Sequence, residues 1–243
     1  LILGLVASLS ALPATAGTSA DADITDVAGD ANFFSSAAND QRDTTPVSWA
    51  NGDLRDVWFE TAYSTSKILD PSTGAVSRVE YRPTALVVRI RTEAPVRPLS
   101  PWSALRFKVN ATLPACQATI ELLVASGIAF DSAEIRPASP STNCGGDNGA
   151  GAPINIIISP VKPTYDGAVS TLTFPLSHSL ISQVLTAGTA LSQTKAQTIA
   201  SPPSVTSPVA LDQTAAGRNF TIGQDVPPNI DCRADPTKAE CHS

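Results

Sequence analysis

The chain has 243 residues, with 22 acidic and 16 basic side chains and a formal net charge of −6. Binding nucleic acid by phosphate neutralisation needs a net basic surface, so this balance argues against that class of partner. Apolar side chains make up 42% of the sequence, enough for a real core, while 20 prolines and 14 glycines favour short elements and many turns.

Leu1 to Ala16 carries no charge and closes on Ala14-Thr15-Ala16. This is the pattern of a secretory signal peptide, an apolar h-region followed by a small-x-small cleavage site, and it places the mature start at Gly17. A membrane-spanning helix needs roughly 20 apolar residues, more than this run supplies. The protein is therefore expected to be secreted, with no membrane span. The run has neither Met nor a basic n-region, which implies a precursor that begins further upstream. Next comes an acidic block. Residues 17–60 hold Asp21, Asp23, Asp26, Asp30, Asp40, Asp43, Asp53, Asp56 and Glu60 against only Arg42 and Arg55.

Period-two alternation then sets in, as a sheet with one buried and one wet face requires. In Arg55–Tyr63, Val57, Phe59 and Tyr63 fall on one side and Asp56, Trp58 and Glu60 on the other. In Thr84–Thr92, Leu86, Val88 and Ile90 alternate with Val87, Arg89 and Arg91. In Ala104–Thr112, Leu105, Phe107 and Val109 alternate with Arg106 and Lys108. Further strand-like runs are Ala118–Ala125, Ala129–Ile135, Ile154–Ser159, Val169–Phe174 and Thr189–Ala200. A proline-rich connection (Thr92 to Pro101) and a glycine-rich loop (Asn143 to Gly151) punctuate them. Leu176–Thr186 reads as one short helix, with Ser177 or Ser179 as its N-cap. So many short strands, without crossover helices between them, predict an all-β, two-sheet antiparallel sandwich of the jelly-roll kind over residues 17–226. Residues 227–243 are expected to form a tail pinned by its own disulfide.

Four cysteines in an exported chain point to bridges. Three pairings are formally open; proximity favours Cys116 with Cys144 and Cys232 with Cys241. Zinc is the weaker reading, because no Cys-x-x-Cys spacing occurs.

Three constellations could carry chemistry. Asp26-Val-Ala-Gly-Asp30-Ala-Asn32, with Asp53-Leu-Arg-Asp56, offers the hard oxygens that calcium takes six to eight at a time. Gly29 would let that loop turn so that its carboxylates converge. The competing reading is plain turn chemistry, since Asp and Asn favour such positions. Trp58, Glu60 and Asp56 share one side of their strand, and an exposed indole beside acidic acceptors can stack on a sugar ring. The competing reading buries Trp58 under a loop or against the other sheet. Arg89, Arg91, Arg106 and Lys108 would form a basic stripe for an anionic wall polymer if their strands were neighbours; otherwise they make a solvated sheet face. Catalytic signatures such as Gly-x-Ser-x-Gly, His-Glu-x-x-His and the P-loop are absent from the sequence.

The segments Asp26-x-x-Gly-Asp30-Ala-Asn32, Asp53-Leu-Arg-Asp56-Val57, Asp212-Gln-Thr-Ala215 and Phe220-Thr-Ile-Gly223 resemble secreted actinobacterial β-sandwich modules. Those modules are similar to DOMON-like domains and family 9 carbohydrate-binding modules. The resemblance implies a sandwich, export and, in some relatives, sugar or haem binding. Haem-binding relatives use axial Met and His; this chain has no Met and only His178 in its body, so haem is not expected. The sequence thus predicts a non-catalytic binding module for an extracellular glycan or cell-wall polymer, with calcium as its candidate ion. The alternatives are a small hydrolase using paired carboxylates and a purely structural envelope protein.

Overall fold

The computed structural model describes residues 21–29, 31, 47–96, 104–112, 117–125, 132–137, 156–158, 164–166, 171–177, 187–201 and 209–242. Within them the chain forms β1 (Ile24–Thr25), β2 (Leu54–Leu69), β3 (Val76–Thr92), β4 (Ala104–Thr112), β5 (Gln117–Ala125), β6 (Ser132–Pro137) and β7 (Ile156–Ile158). These are followed by β8 (Thr164–Asp166), β9 (Thr171–Ser177), β10 (Ala190–Ser201), β11 (Val209–Gln213), β12 (Phe220–Thr221) and β13 (Ile230–Asp231). One sheet runs β1-β2-β3-β9-β8, with β13 also on β3. The other runs β11-β10-β4-β5-β6-β7, with β12 also on β10.

The two antiparallel sheets face each other across one apolar core, so the fold is the expected all-β sandwich. Val57, Phe59, Leu86, Val88 and Ile90 come from the first sheet. Leu105, Phe107, Val109, Ile120, Leu122, Val124 and Leu191 come from the second. They are the apolar halves of the alternating runs, which is why those runs form strands here: one side of each has somewhere dry to go.

Two departures from the sequence reading matter for the site. Leu176 and Ser177, placed at the head of a helix from sequence, instead close strand β9; residues 178–186, with His178, lie outside the described residues. β2 and β3 also run well past the core. Their distal halves, Ser64–Leu69 and Val76–Arg82, form a two-stranded arm in register from Ser64↔Arg82 to Ile68↔Arg78, with a shift before Leu69↔Val76. Its turn is held by Asp70, which accepts the Ser72 N–H at 2.9 Å and the Ser72 hydroxyl at 2.5 Å. The tail lies along the arm, with Cys232 bridged to Cys241. Cys116 and Cys144 lie outside the described residues.

Candidate functional site

Among the described residues β2 has a full partner in β3 on one side but only the two residues of β1 on the other. A strand edge left like this presents unpaired N–H groups, which must find acceptors or water. Carboxylates supply them. The Phe59 N–H donates to Asp23 Oδ2 at 2.7 Å, and the Thr61 N–H to Asp225 Oδ2 at 2.6 Å. At the head of the strand the Leu54 N–H donates to Asp212 Oδ2 at 2.6 Å. Asp53 Oδ2 accepts the Gly29 N–H at 2.7 Å, drawing the N-terminal loop onto the same strand mouth. Asp53 and Asp212 are fully buried, at 0% exposure.

The loop from Thr214 to Arg218 completes the enclosure. The Gly217 N–H donates to Thr194 O, and the Arg218 N–H to Asp23 O. A Cβ on Gly217 would stand 2.3 Å from Asp23 O, so only glycine permits this approach. Burial raises the Asp23 pKa, opposed by the Phe59 N–H and the Arg218 charge. Burial likewise raises that of Glu60; Arg89 opposes it, while the nearby Asp225 and Asp23 charges add to it.

The face of β2 and β3 that turns away from the core carries a charge ladder. Asp56 lies opposite Arg91 and pairs with it; Arg89, opposite Trp58, reaches Glu60 at 2.7 Å. The Arg91 guanidinium carbon lies 5.8 Å from the centroid of the Trp58 ring, within cation–π range. This face is enclosed too: Trp58 is 4% exposed, Asp56 3% and Arg89 7%.

The expected sugar platform is therefore corrected. Trp58, Glu60 and Asp56 do share a side, but Trp58 and Asp56 are buried and only Glu60 is partly open. Alternation reports which side a residue takes; it does not report whether that side is covered. The expected cation site is partly dispersed as well. Asp26 Oδ1 accepts the Val27 N–H and Asp53 the Gly29 N–H, so these two bracket the loop, and Gly29 turns in the left-handed region as anticipated, at φ +76°. Asp56 is drawn away to Arg91. Asp30 and Asn32 lie outside the described residues. Among the described residues no group of three His, Cys, Asp or Glu side chains is placed to hold a metal. The basic stripe does not form: Arg89 and Arg91 are on β3 of one sheet, Arg106 and Lys108 on β4 of the other.

The sequence reading named Asp23 only within the acidic block and Asp212 only within the resemblance, left Asp225 and Arg218 unnamed, and gave none of the four this capping role. Their partners are 36, 158 and 164 residues away for the three carboxylates, so no local spacing could have announced them. Comparison with models of known protein families, with curated proteins and with solved structures finds no match to this chain.

Proposed function

We propose that the chain is an exported, non-catalytic β-sandwich module that binds at the cell surface or in the extracellular matrix, with polysaccharide as its ligand class. The observation that carries this reading is the use of its acids. Asp23, Asp53, Asp212 and Asp225 accept main-chain N–H groups and Asp56 holds Arg91, so these acids serve as scaffold. The Cys232–Cys241 bridge suits an oxidising compartment. The resemblance to DOMON-like and family 9 modules supplies the ligand class, by analogy only.

With the Trp58 ring enclosed, an aromatic surface open to a sugar among the described residues is on the arm. Tyr63 and Tyr81 pack edge to face, 5.6 Å between centroids, and both are half-exposed. Retention on insoluble polysaccharides tests the proposal. The wild type should be retained equally in calcium and in EDTA, because Asp26 and Asp53 already hold the loop through Val27 and Gly29. Tyr81→Ala should weaken retention about tenfold while leaving the circular dichroism spectrum intact, a loss of one stacking contact. No retention on any polysaccharide would sink the reading.

One observation favours a second reading. Glu60 is half-buried, and burial, with the Asp225 and Asp23 charges, raises its pKa against the Arg89 pair, the direction that general acid work calls for. Release of reducing ends from a soluble glycan, abolished in Glu60→Gln, would move the protein to the hydrolases.

A further inference from the structure

The C-terminal segment is a knob closed on itself. Cys232 and Cys241 both belong to it, so their bridge shapes the knob without tying it covalently to the sandwich. It is held to the arm by a two-residue ladder, Ile230↔Val79 and Asp231↔Arg78. The Cys232 N–H donates to Ser77 O at 3.1 Å, and the Tyr81 N–H to Asn229 Oδ1 at 2.8 Å. Two charged contacts flank these: Arg233 to Asp70 at 2.6 Å, and Lys67 Nζ donating to His242 O at 2.8 Å. Val79 is the one fully buried apolar anchor of β3 in this stretch. Between knob and arm tip lies a cavity of about 310 Å³, lined by Thr73, Val76 and Ser77 on one side and Cys232, Pro236 and Cys241 on the other.

An attachment of this make-up can open while the sandwich stays folded, because almost none of the main core depends on it. Opening would bare the β3 edge from Ser77 to Tyr81, a ready template for another strand. We propose that this edge is an interaction surface for the knob of a second copy of the chain, exchanged reciprocally in a two-fold dimer. The identity of the occupant is set by the contacts already made there. Ile230 opposite Val79, the Asn229 carboxamide on Tyr81 and Arg233 on Asp70 are contacts that an identical knob reproduces from another chain. Reciprocal exchange fills both arms and leaves neither edge open, a closed arrangement. The segment leading to β13 contains Pro227-Pro228, a stiff spacer whose fixed φ angles limit how the knob can fold back. Knob exchange requires no glycan, so it stands or falls independently of polysaccharide binding.

Charge reversal across the Arg233–Asp70 pair tests it in the full chain. Asp70→Arg and Arg233→Asp each set like charges between a knob and its own arm. In a mixture, exchange restores both pairs at once: the R233D knob meets the D70R arm, and the wild-type Arg233 meets the wild-type Asp70. After co-refolding, light scattering on eluted peaks should show a 1:1 dimer in the mixture at about tenfold the level in either variant alone. The double variant D70R/R233D should return to wild-type behaviour. Monomers only in the mixture, up to the highest soluble concentration, would overturn the proposal. Equal dimer in each variant alone would overturn it too, by placing the contact elsewhere.

Discussion

Asp212 condenses the logic of the buried acids into one side chain. Its carboxylate is fully buried, yet it accepts the Leu54 N–H at 2.6 Å and the Gln213 N–H at 2.7 Å, so one charge settles two main-chain donors. Removing the carboxylate leaves the Leu54 donor at the head of β2 without its acceptor, and an unsatisfied buried group costs about 1–3 kcal/mol. Asp212→Ala should therefore lower stability by that amount, and Asp212→Asn, which keeps one acceptor oxygen, by roughly half. Urea unfolding checks it: the midpoint should fall with the slope unchanged, since the surface exposed on unfolding is the same. The same side chains mark the limit of the sequence. Calcium ligation and N–H capping both call for Asp beside a strand mouth, and only the distant partners decide between them. Trp58 was ambiguous for a parallel reason. Its side of β2 could be read, but the enclosure that leaves it 4% exposed belongs to other parts of the chain.

At the scale of elements, legibility tracked burial. Ala104–Thr112 is the same span by alternation and in the structure, because Leu105, Phe107 and Val109 all enter the core. Leu54–Leu69 was read only as far as Tyr63. Beyond it Ser64-Thr-Ser-Lys67 faces no second layer among the described residues and carries no apolar rhythm, although it pairs with β3 as regularly as the rest. Which strands share a sheet was not legible either: β10 pairs with β4 and β9 with β3, strands far apart in the sequence, and no spacing encodes that order. The tail was legible, since Cys232 and Cys241 close a short loop. That loop should behave as a local unit. Closing about ten residues is worth about 2–3 kcal/mol in chain entropy, and the knob touches the arm rather than the core. Replacing both cysteines by serine should speed amide exchange at Tyr81 and at position 232 by about a hundredfold, with β4 and β10 unchanged. Equal loss of protection in β4 would mean that the knob is part of the global unfolding unit.

For the whole molecule, the acids fall into two populations with opposite pH behaviour. In the sandwich, burial raises the pKa of Glu60 and of Asp23, so the folded state takes up these protons before the unfolded chain does. Their penalty is absent below the unfolded pKa and grows as pH rises through the folded one. On the arm, the Ser72 hydroxyl and N–H, with Arg233 adding to them, hold Asp70 down at about 2, and Arg82 lowers Glu80. These two favour the fold above the unfolded carboxylate pKa, and that support is lost as pH falls through their own lowered values. With an isoelectric point near 4.8, self-repulsion also eases as pH drops from neutrality. The melting temperature should therefore rise as pH falls from neutrality towards the carboxylate range, then fall towards about pH 2 as Asp70 and Glu80 take up protons. Asp70→Asn should make the acid side shallower and leave the neutral side alone. Asp23→Asn, which removes a penalised charge but keeps an acceptor for the Phe59 N–H, should flatten the rise on the neutral side. A melting temperature that declined steadily from pH 7 downward would show that the arm acids outweigh the buried pair throughout, and would remove the structural meaning assigned to Glu60 and Asp23.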